Sequence, residues 1–138
     1  MSLPYYLKMK LLYFSRDGLQ AIHHIPYSYS STMTIAEAYA MTQSLESFMN
    51  KVISVITGDG RNIVGLMKGF DQTINLVLED SHERVFSEDA GVEQIPLGLY
   101  IVRGDNVAVV GELDEDLDKR LDFEKMKAPP LGPIWIHY

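Results

Sequence analysis

The sequence predicts an all-β domain of five short antiparallel strands, with one short α-helix before it and another after it. The evidence is a series of β-branched runs of strand length, a tight turn at Gly58-Asp59-Gly60, and Gly65 inside the second run. A glycine in a strand interior marks a bend or a bulge, which a small, strongly curved sheet needs. The 138 residues suffice for one such domain with tails.

The elements are expected in a simple order. Leu45, Phe48 and Met49 recur at helical spacing, which predicts a short amphipathic helix over 42–50. Five strands are then predicted from β-branched and alternating runs, at 52–57, 61–70, 74–78, 84–102 and 106–111. The fourth contains a polar loop and forms either two arms or a hairpin extension. The stretch 112–127 runs from acidic to basic, which is typical of a short helix with cations near its carboxyl end.

Residues 1–40 differ in character from the rest of the chain. They are rich in tyrosine and serine and have no sustained hydrophobic period, so they are expected to form a disordered N-terminal extension outside the fold. Met41 stands where the periodic pattern begins, which leaves a start at that methionine as an alternative. The predicted organisation is therefore an extension over 1–40, a domain over 41–113, and a helix with a tail over 114–138.

Charge and composition narrow the kinds of partner. The net charge is −7, and the acidic excess lies after residue 41, because residues 1–41 hold three basic and two acidic side chains. Such a domain lacks the broad basic surface that binds phosphates by counterion release. Any contact of this domain with a nucleic acid must therefore be local, made by base stacking and hydrogen bonds. No apolar run approaches the roughly 18 residues of a membrane-spanning helix, so no membrane partner is expected.

No motif argues for an enzyme, a cofactor or a metal site. The chain has no cysteine, which excludes thiol catalysis and thiolate ligands. His82 beside Ser81 has no second histidine at helical spacing, and the adjacent His23 and His24 rarely converge on one metal. The turn at Gly58-Asp59-Gly60 lacks the Lys-Ser/Thr pair of a phosphate-binding loop. We therefore expect a binding or assembly protein.

Polar residues stand at predicted turns in two segments, 59–78 and 99–107. The first carries Asp71 and Asn75. An Asn amide offers a donor and an acceptor that match the O4/N3 edge of uracil, and a nearby carboxylate can fix its orientation. The second carries Arg103, whose guanidinium can stack on a base, and Gly104, whose N–H can approach a base edge. The alternative is that Asp71 and Asn75 only cap a turn, as most such loop residues do.

Together the two segments resemble the bipartite signature of the Sm and Sm-like (LSm) family. The resemblance implies the Sm fold, a small, strongly bent, SH3-like open barrel whose fifth strand pairs with the fourth strand of the next subunit in a ring. It also implies one uridine pocket per subunit, formed here by Asp71, Thr73, Asn75, Arg103 and Gly104. The family often has an aromatic residue or a histidine where this chain has Thr73, so Arg103 would have to supply more of the base stacking.

Within the family, the resemblance is to one kind of subunit and covers residues 41–115. It depends on four segments, 68–76, 81–87, 91–94 and 97–109. It implies a nuclear heteroheptameric ring with other Sm-like subunits. That ring binds the 3′ oligouridine end of U6 small nuclear RNA, a uridine-rich single strand, and acts in pre-mRNA splicing. Two alternatives remain: a subunit of the cytoplasmic Sm-like ring in mRNA decay, and a ring scaffold without direct RNA contact.

Overall fold

We describe residues 7–15, 18–21 and 43–133 from a computed structural model. Within these residues, seven strands form one antiparallel sheet: β1 (Leu7–Ser15), β2 (Gly18–Ala21), β3 (Val52–Thr57), β4 (Asn62–Phe70), β5 (Leu76–Val85), β6 (Glu93–Val102) and β7 (Val107–Leu113). Their order across the sheet is β2-β1-β7-β3-β4-β5-β6. β3 to β7 are the five consecutive strands that the sequence predicts, with β7 lying beside β3. The all-β class is confirmed.

Bulges interrupt the pairing of β5 with both of its neighbours. The register between β4 and β5 shifts between Val64 and Leu66, on either side of Gly65. A Cβ atom at Gly65 would lie 2.9 Å from the Cβ of Ser81, closer than packed side chains allow. Asp80 adopts a positive φ of 50° where the pairing of β5 with β6 also shifts. Because a bulge bends its strand and increases the local twist, the predicted role of Gly65 is confirmed.

One hydrophobic core joins the strands to the segment before β3. Residues 43–46 form a single helical turn, α1, and a turn at 47–50 leads into β3. Leu45 and Phe48 are buried and Met49 packs against the same cluster. The predicted apolar face is therefore confirmed, on a helix shorter than expected. The other buried members of this cluster come from β3 to β7 and the loop before β5: Ile53, Val55, Ile63, Met67, Ile74, Leu76, Leu78, Val102, Val107 and Val110.

Several strand boundaries differ from those predicted, most of them by one or two residues. β5 continues through Asp80 to Val85, because the left-handed conformation of Asp80 forms a bulge and regular pairing resumes beyond it. The segment predicted as the fourth strand forms a hairpin, one of its two expected forms, in which the end of β5 and β6 flank the loop 86–92. β7 starts at Val107 rather than one residue earlier, because Gly104–Asn106 form a 3₁₀ turn.

Residues 7–15 and 18–21 depart from the disordered extension that the sequence predicts. β1 pairs with β2 as a hairpin, and it also pairs antiparallel with β7, from Leu7 opposite Leu113 to Tyr13 opposite Val109. Without β1, the outer edge of β7 would present unpaired N–H and C=O groups. β1 is an extended segment that forms hydrogen bonds with these groups. For the other residues of the predicted extension, the expectation lies outside the described part of the chain.

The predicted C-terminal helix is a single turn, α2 (Glu115–Asp118). Asp114 caps it by accepting hydrogen bonds from two backbone N–H groups of the first turn, at 3.1 and 3.2 Å. The chain beyond α2 bonds to the β5–β6 loop instead, where the Val92 N–H donates to the Phe123 carbonyl at 2.8 Å. Basic residues expected at the helix end, such as Lys125, lie beyond it. Within the described residues, no helix is long and apolar enough to span a membrane.

Candidate nucleic-acid interface

The loop between β4 and β5, residues 71–75, is organised around the carboxylate of Asp71. Its Oδ1 accepts hydrogen bonds from the backbone N–H groups of Thr73 and Asn75, at 2.9 and 3.0 Å, and from the Thr73 hydroxyl at 2.9 Å. Its Oδ2 accepts from the side-chain amide of Asn75 at 2.8 Å. These bonds, the one from the Asn75 side chain first, lower the pKa of Asp71 below its ordinary value. An ionised carboxylate therefore holds this exposed loop in one conformation.

Asn75 joins this loop to the one between β6 and β7. Its Oδ1 accepts a hydrogen bond from the Gly104 backbone N–H at 2.8 Å. Its Nδ2 donates to Asp71 Oδ2 at 2.8 Å and to Thr73 Oγ1 at 2.9 Å. These partners settle which end of the amide is the oxygen, since an N–H needs an acceptor and a carboxylate needs a donor. The two loops meet because the first residue of β5 pairs with the last residue of β6.

The close approach of the two loops requires a glycine at position 104. A Cβ atom there would overlap the carbonyl oxygen of Thr73 and lie close to the backbone of Ile74. Ile74 has a φ of 65°, which is unusual for a β-branched residue, and its side chain is buried in the core. Burial of Ile74 thus anchors a strained turn whose polar residues remain at the surface.

Arg103 adjoins this junction with a side chain that is 79% exposed. Its guanidinium pairs with Asp105 at 3.5 Å, and Asp105 is almost as exposed. An ion pair this open to water contributes little free energy. The guanidinium can therefore exchange Asp105 for another partner at little cost.

A third loop, the β3–β4 turn, is tied to the same region. The Gly58 N–H donates to the Asn106 carbonyl at 2.7 Å, and the Asn106 side-chain amide donates to the Asp59 carboxylate at 3.3 Å. Asp59 also accepts from the Thr57 hydroxyl. Neither Asp59 nor Asn106 is among the site residues predicted from the sequence. A signal for both was available, because each is a turn-forming residue within one of the two polar segments.

The structure brings four of the five predicted site residues into one hydrogen-bonded group: Asp71, Thr73, Asn75 and Gly104, with Arg103 beside them in the chain. Two details differ from the expectation. The Gly104 N–H is bonded to Asn75 rather than free for a base edge, and both amide hydrogens of Asn75 are used within the loop. Of the groups predicted to contact a base, one lone pair of Asn75 Oδ1 and the Arg103 guanidinium remain available.

Five strands in the order β7-β3-β4-β5-β6, with the β4–β5 and β6–β7 loops joined at Asn75, define a small β-barrel of the Sm class. The chain matches the family model described as the LSM domain over residues 43–112, half of its length. It belongs to that family.

Named relatives differ in how much they share with this chain. The human "U6 snRNA-associated Sm-like protein LSm8" is 62% identical over 94 residues, which are 68% of this chain and 98% of that protein. The Schizosaccharomyces pombe "LSM2-LSM8 complex subunit lsm8" is 50% identical over 91 residues, 66% of this chain and 97% of that protein. The Arabidopsis thaliana "Sm-like protein LSM1A" is 46% identical over 76 residues, 55% of this chain and 59% of that protein. The two LSm8 proteins are thus more similar to this chain than LSM1A is, and the similarity covers more of their length.

Proposed function

We propose that this chain is a subunit of a nuclear heteroheptameric Sm-like ring that binds the 3′ oligouridine end of U6 small nuclear RNA and acts in pre-mRNA splicing. Its partners are the other Sm-like subunits of the ring and this RNA. Its own contribution to RNA binding is one uridine site, formed by Asp71, Thr73, Asn75, Arg103 and Gly104. The role is recognition and assembly rather than catalysis.

The observation that carries this proposal is the hydrogen bond from the Gly104 N–H to Asn75 Oδ1 at 2.8 Å. It joins the two halves of the family's bipartite signature, 59–78 and 99–107, in one surface site. The relative with 62% identity is U6 snRNA-associated by name, whereas LSM1A is less similar and is covered less fully. That difference favours a U6-associated subunit over the alternative of a subunit acting in cytoplasmic mRNA decay.

The outer edge of β6 supports assembly with a neighbouring subunit. Within the described residues, β6 pairs with β5 alone, and its Leu99 and Ile101 are 72% and 60% exposed. An exposed apolar edge strand favours pairing with another chain, because its N–H and C=O groups are unpaired. In a ring of this family, that edge receives the strand of a neighbour that corresponds to β7.

The charge of the chain favours base contacts over phosphate contacts. A net charge of −7 leaves little affinity from counterion release. Affinity would instead come from several local base sites acting together around the ring, because linked weak sites bind far more tightly than one. Arg103, which is held only by an exposed pair with Asp105, supplies a planar cation for stacking at this site.

A ring scaffold without direct RNA contact is the second candidate, and one observation favours it. The Gly104 N–H and both amide hydrogens of Asn75 are already bonded within the protein. If this subunit is only a scaffold, these hydrogen bonds serve to hold the two loops together, as turn-capping side chains do.

Purification of the tagged chain from nuclear extract, and in parallel from cytoplasmic extract, tests the proposed assembly. We expect other Sm-like subunits and U6 small nuclear RNA to be recovered with it. Recovery from cytoplasm with mRNA-decay factors, and without U6 RNA, would contradict the proposal. Direct contact is tested in a ring reconstituted with its partner subunits, by fluorescence anisotropy with labelled hexauridine.

A further inference from the structure

The Thr73 hydroxyl lies between a carboxylate and an amide of the same loop. It donates a hydrogen bond to Asp71 Oδ1 at 2.9 Å and accepts one from Asn75 Nδ2, also at 2.9 Å. Threonine has no flat ring on which a base could stack. Any contribution of this side chain to base recognition must therefore come through its hydrogen bonds.

Counting hydrogen bonds shows what Asn75 can still offer to a ligand. An asparagine amide has two N–H donors and two lone pairs on its oxygen. One N–H donates to Asp71 and the other donates to Thr73, and one lone pair accepts the hydrogen bond from the Gly104 N–H. The amide cannot be turned over, because its oxygen would then face the carboxylate and its NH₂ would face the Gly104 N–H. One lone pair of Oδ1 remains, so Asn75 can act only as an acceptor.

We propose that Thr73 is a positioning residue that makes this subunit's base site select uracil over cytosine. The inference depends on the proposed RNA-binding function and deepens it. Uracil carries a donor at N3, which suits the remaining lone pair of Asn75 Oδ1, whereas N3 of cytosine is an acceptor and is repelled by it. Without the Thr73 hydroxyl, one amide hydrogen of Asn75 is released and becomes available to an acceptor such as cytosine N3.

Two substitutions separate the hydroxyl of Thr73 from its shape. Thr73→Val removes the hydroxyl and keeps the volume and the backbone N–H bond to Asp71. Thr73→Ser keeps the hydroxyl and removes only a methyl group. Both changes are at an exposed position, so the fold should tolerate them. Ser87→Ala is the matched control, because Ser87 is another loop hydroxyl, at a half-buried position, with only local bonds, at 3.0 and 3.3 Å to Ala90.

The measurement uses rings reconstituted with the partner Sm-like subunits. The RNA probes are labelled hexauridine and the versions of it that carry a single cytidine at each position in turn. Asn75→Ala first identifies the nucleotide that this subunit reads, as the position where the cytidine penalty disappears. At that position we expect a penalty of roughly fivefold to a hundredfold in the parent ring, the range for one base-edge hydrogen bond. Thr73→Val should remove most of it, while Thr73→Ser and Ser87→Ala should retain it.

The outcomes separate failure of this inference from failure of the proposed function. If Asn75→Ala abolishes the penalty at one position but Thr73→Val leaves it as in the parent, the role of Thr73 is overturned and RNA contact stands. If Thr73→Val weakens uridine and cytidine probes equally, Thr73 is structural only. If neither Asn75→Ala nor Arg103→Ala changes binding of any probe, this subunit does not contact RNA, and both the role of Thr73 and the proposed uridine site are wrong.

Discussion

Arg84 on β5 and Asp118 at the end of α2 form a two-point ion pair, with Nη1 to Oδ1 at 2.8 Å and Nη2 to Oδ2 at 2.7 Å. The Arg84 side chain is 2% exposed and that of Asp118 is 15% exposed. The guanidinium carbon also lies 4.5 Å from the centre of the Phe123 ring. Because a single helical turn is not stable by itself, these contacts to the sheet hold α2 and the residues after it in place.

Removing one partner of this pair should be strongly destabilising. In Asp118→Ala the Arg84 guanidinium stays buried without its counterion, so the free energy of unfolding should fall by about 3–5 kcal/mol. The matched control is Glu112→Ala, which breaks the exposed pair with Lys51 at 3.2 Å and should cost less than about 1 kcal/mol. Urea unfolding followed by circular dichroism measures both. Equal, small losses would show that Arg84 does not hold the C-terminal segment.

His82 should make stability depend on pH below its ordinary pKa. Its Nε2 accepts a hydrogen bond from Arg84 Nε at 3.2 Å, which only the neutral imidazole can do. Burial first, and then the charge of Arg84, lower the pKa of His82 below 6.5, while Asp118 opposes the shift. As the pH falls below 6.5, the unfolded chain takes up a proton that the folded chain does not bind, so stability decreases. Stability from this group is therefore fully present above 6.5.

The His82→Gln variant isolates this effect. Thermal unfolding of parent and variant at one protein concentration, at about pH 7.5 and about pH 5.5, should show a smaller loss of stability on acidification in the variant. The carboxylates of the chain titrate in both proteins, so the difference between the two losses of stability is due to His82. An equal loss of stability in the parent and the variant would mean that the imidazole of His82 has the same pKa in the folded and the unfolded chain.

The five-strand domain was predictable because its signals are local. Runs such as Val52–Thr57 have strand composition, and Gly65 marks the bend that a small barrel needs. The contact between Asp71 and Asn75 was also accessible, since a carboxylate and an amide four residues apart in a loop can bond within the loop.

Other features depend on tertiary contacts that no local pattern records. The Gly104 N–H bonds to a side chain 29 residues away, so its loss as a free donor is visible only in the folded chain. Arg84 contacts Asp118, which is 34 residues further along the chain, and that contact, rather than the length of the helix, positions the C-terminal segment. β1 was missed because its partner is the edge of β7, at the opposite end of the sequence, and the segment around it has no period.

Gly104→Ala should open the junction between the two polar loops. The added Cβ would overlap the Thr73 carbonyl oxygen, so the backbone must shift and the Gly104–Asn75 hydrogen bond must lengthen. We expect the free energy of unfolding to fall by about 1–3 kcal/mol and oligouridine binding to weaken. Gly69→Ala is the matched control, because a Cβ there meets nothing within 4 Å, and it should change stability by about 0.5 kcal/mol or less. Similar effects of the two variants would show that the junction is not under steric constraint.

Asn75→Ala and Arg103→Ala should each weaken hexauridine binding by the reconstituted ring. The expected cost is about 1–3 kcal/mol for each, the range for one stacked or hydrogen-bonded base contact. The double variant should lose less than the sum, because both residues contact the same base. Anisotropy titrations give the affinities, and sedimentation velocity checks that the rings are intact. Loss of assembly in either variant would mean that the substituted residue is needed to hold the two loops together, and weaker RNA binding would then follow from the loss of the ring.

Deleting residues 1–40 should leave the domain folded and free the outer edge of β7. The core cluster contains residues from Leu45 to Val110, and β1 adds to the sheet only beside β7. The ring interface of the family uses that same edge, so we expect the truncated chain to join its partner subunits at least as fast as the full chain.

Leu12→Pro in the full chain is the matched variant, because it removes a backbone N–H opposite Val110 and should weaken the pairing of β1. Mixing with partner subunits, followed by sedimentation velocity, measures assembly. If the deletion unfolded the domain or blocked assembly, β1 would be an integral strand of the sheet, and a neighbouring subunit would have to dock elsewhere.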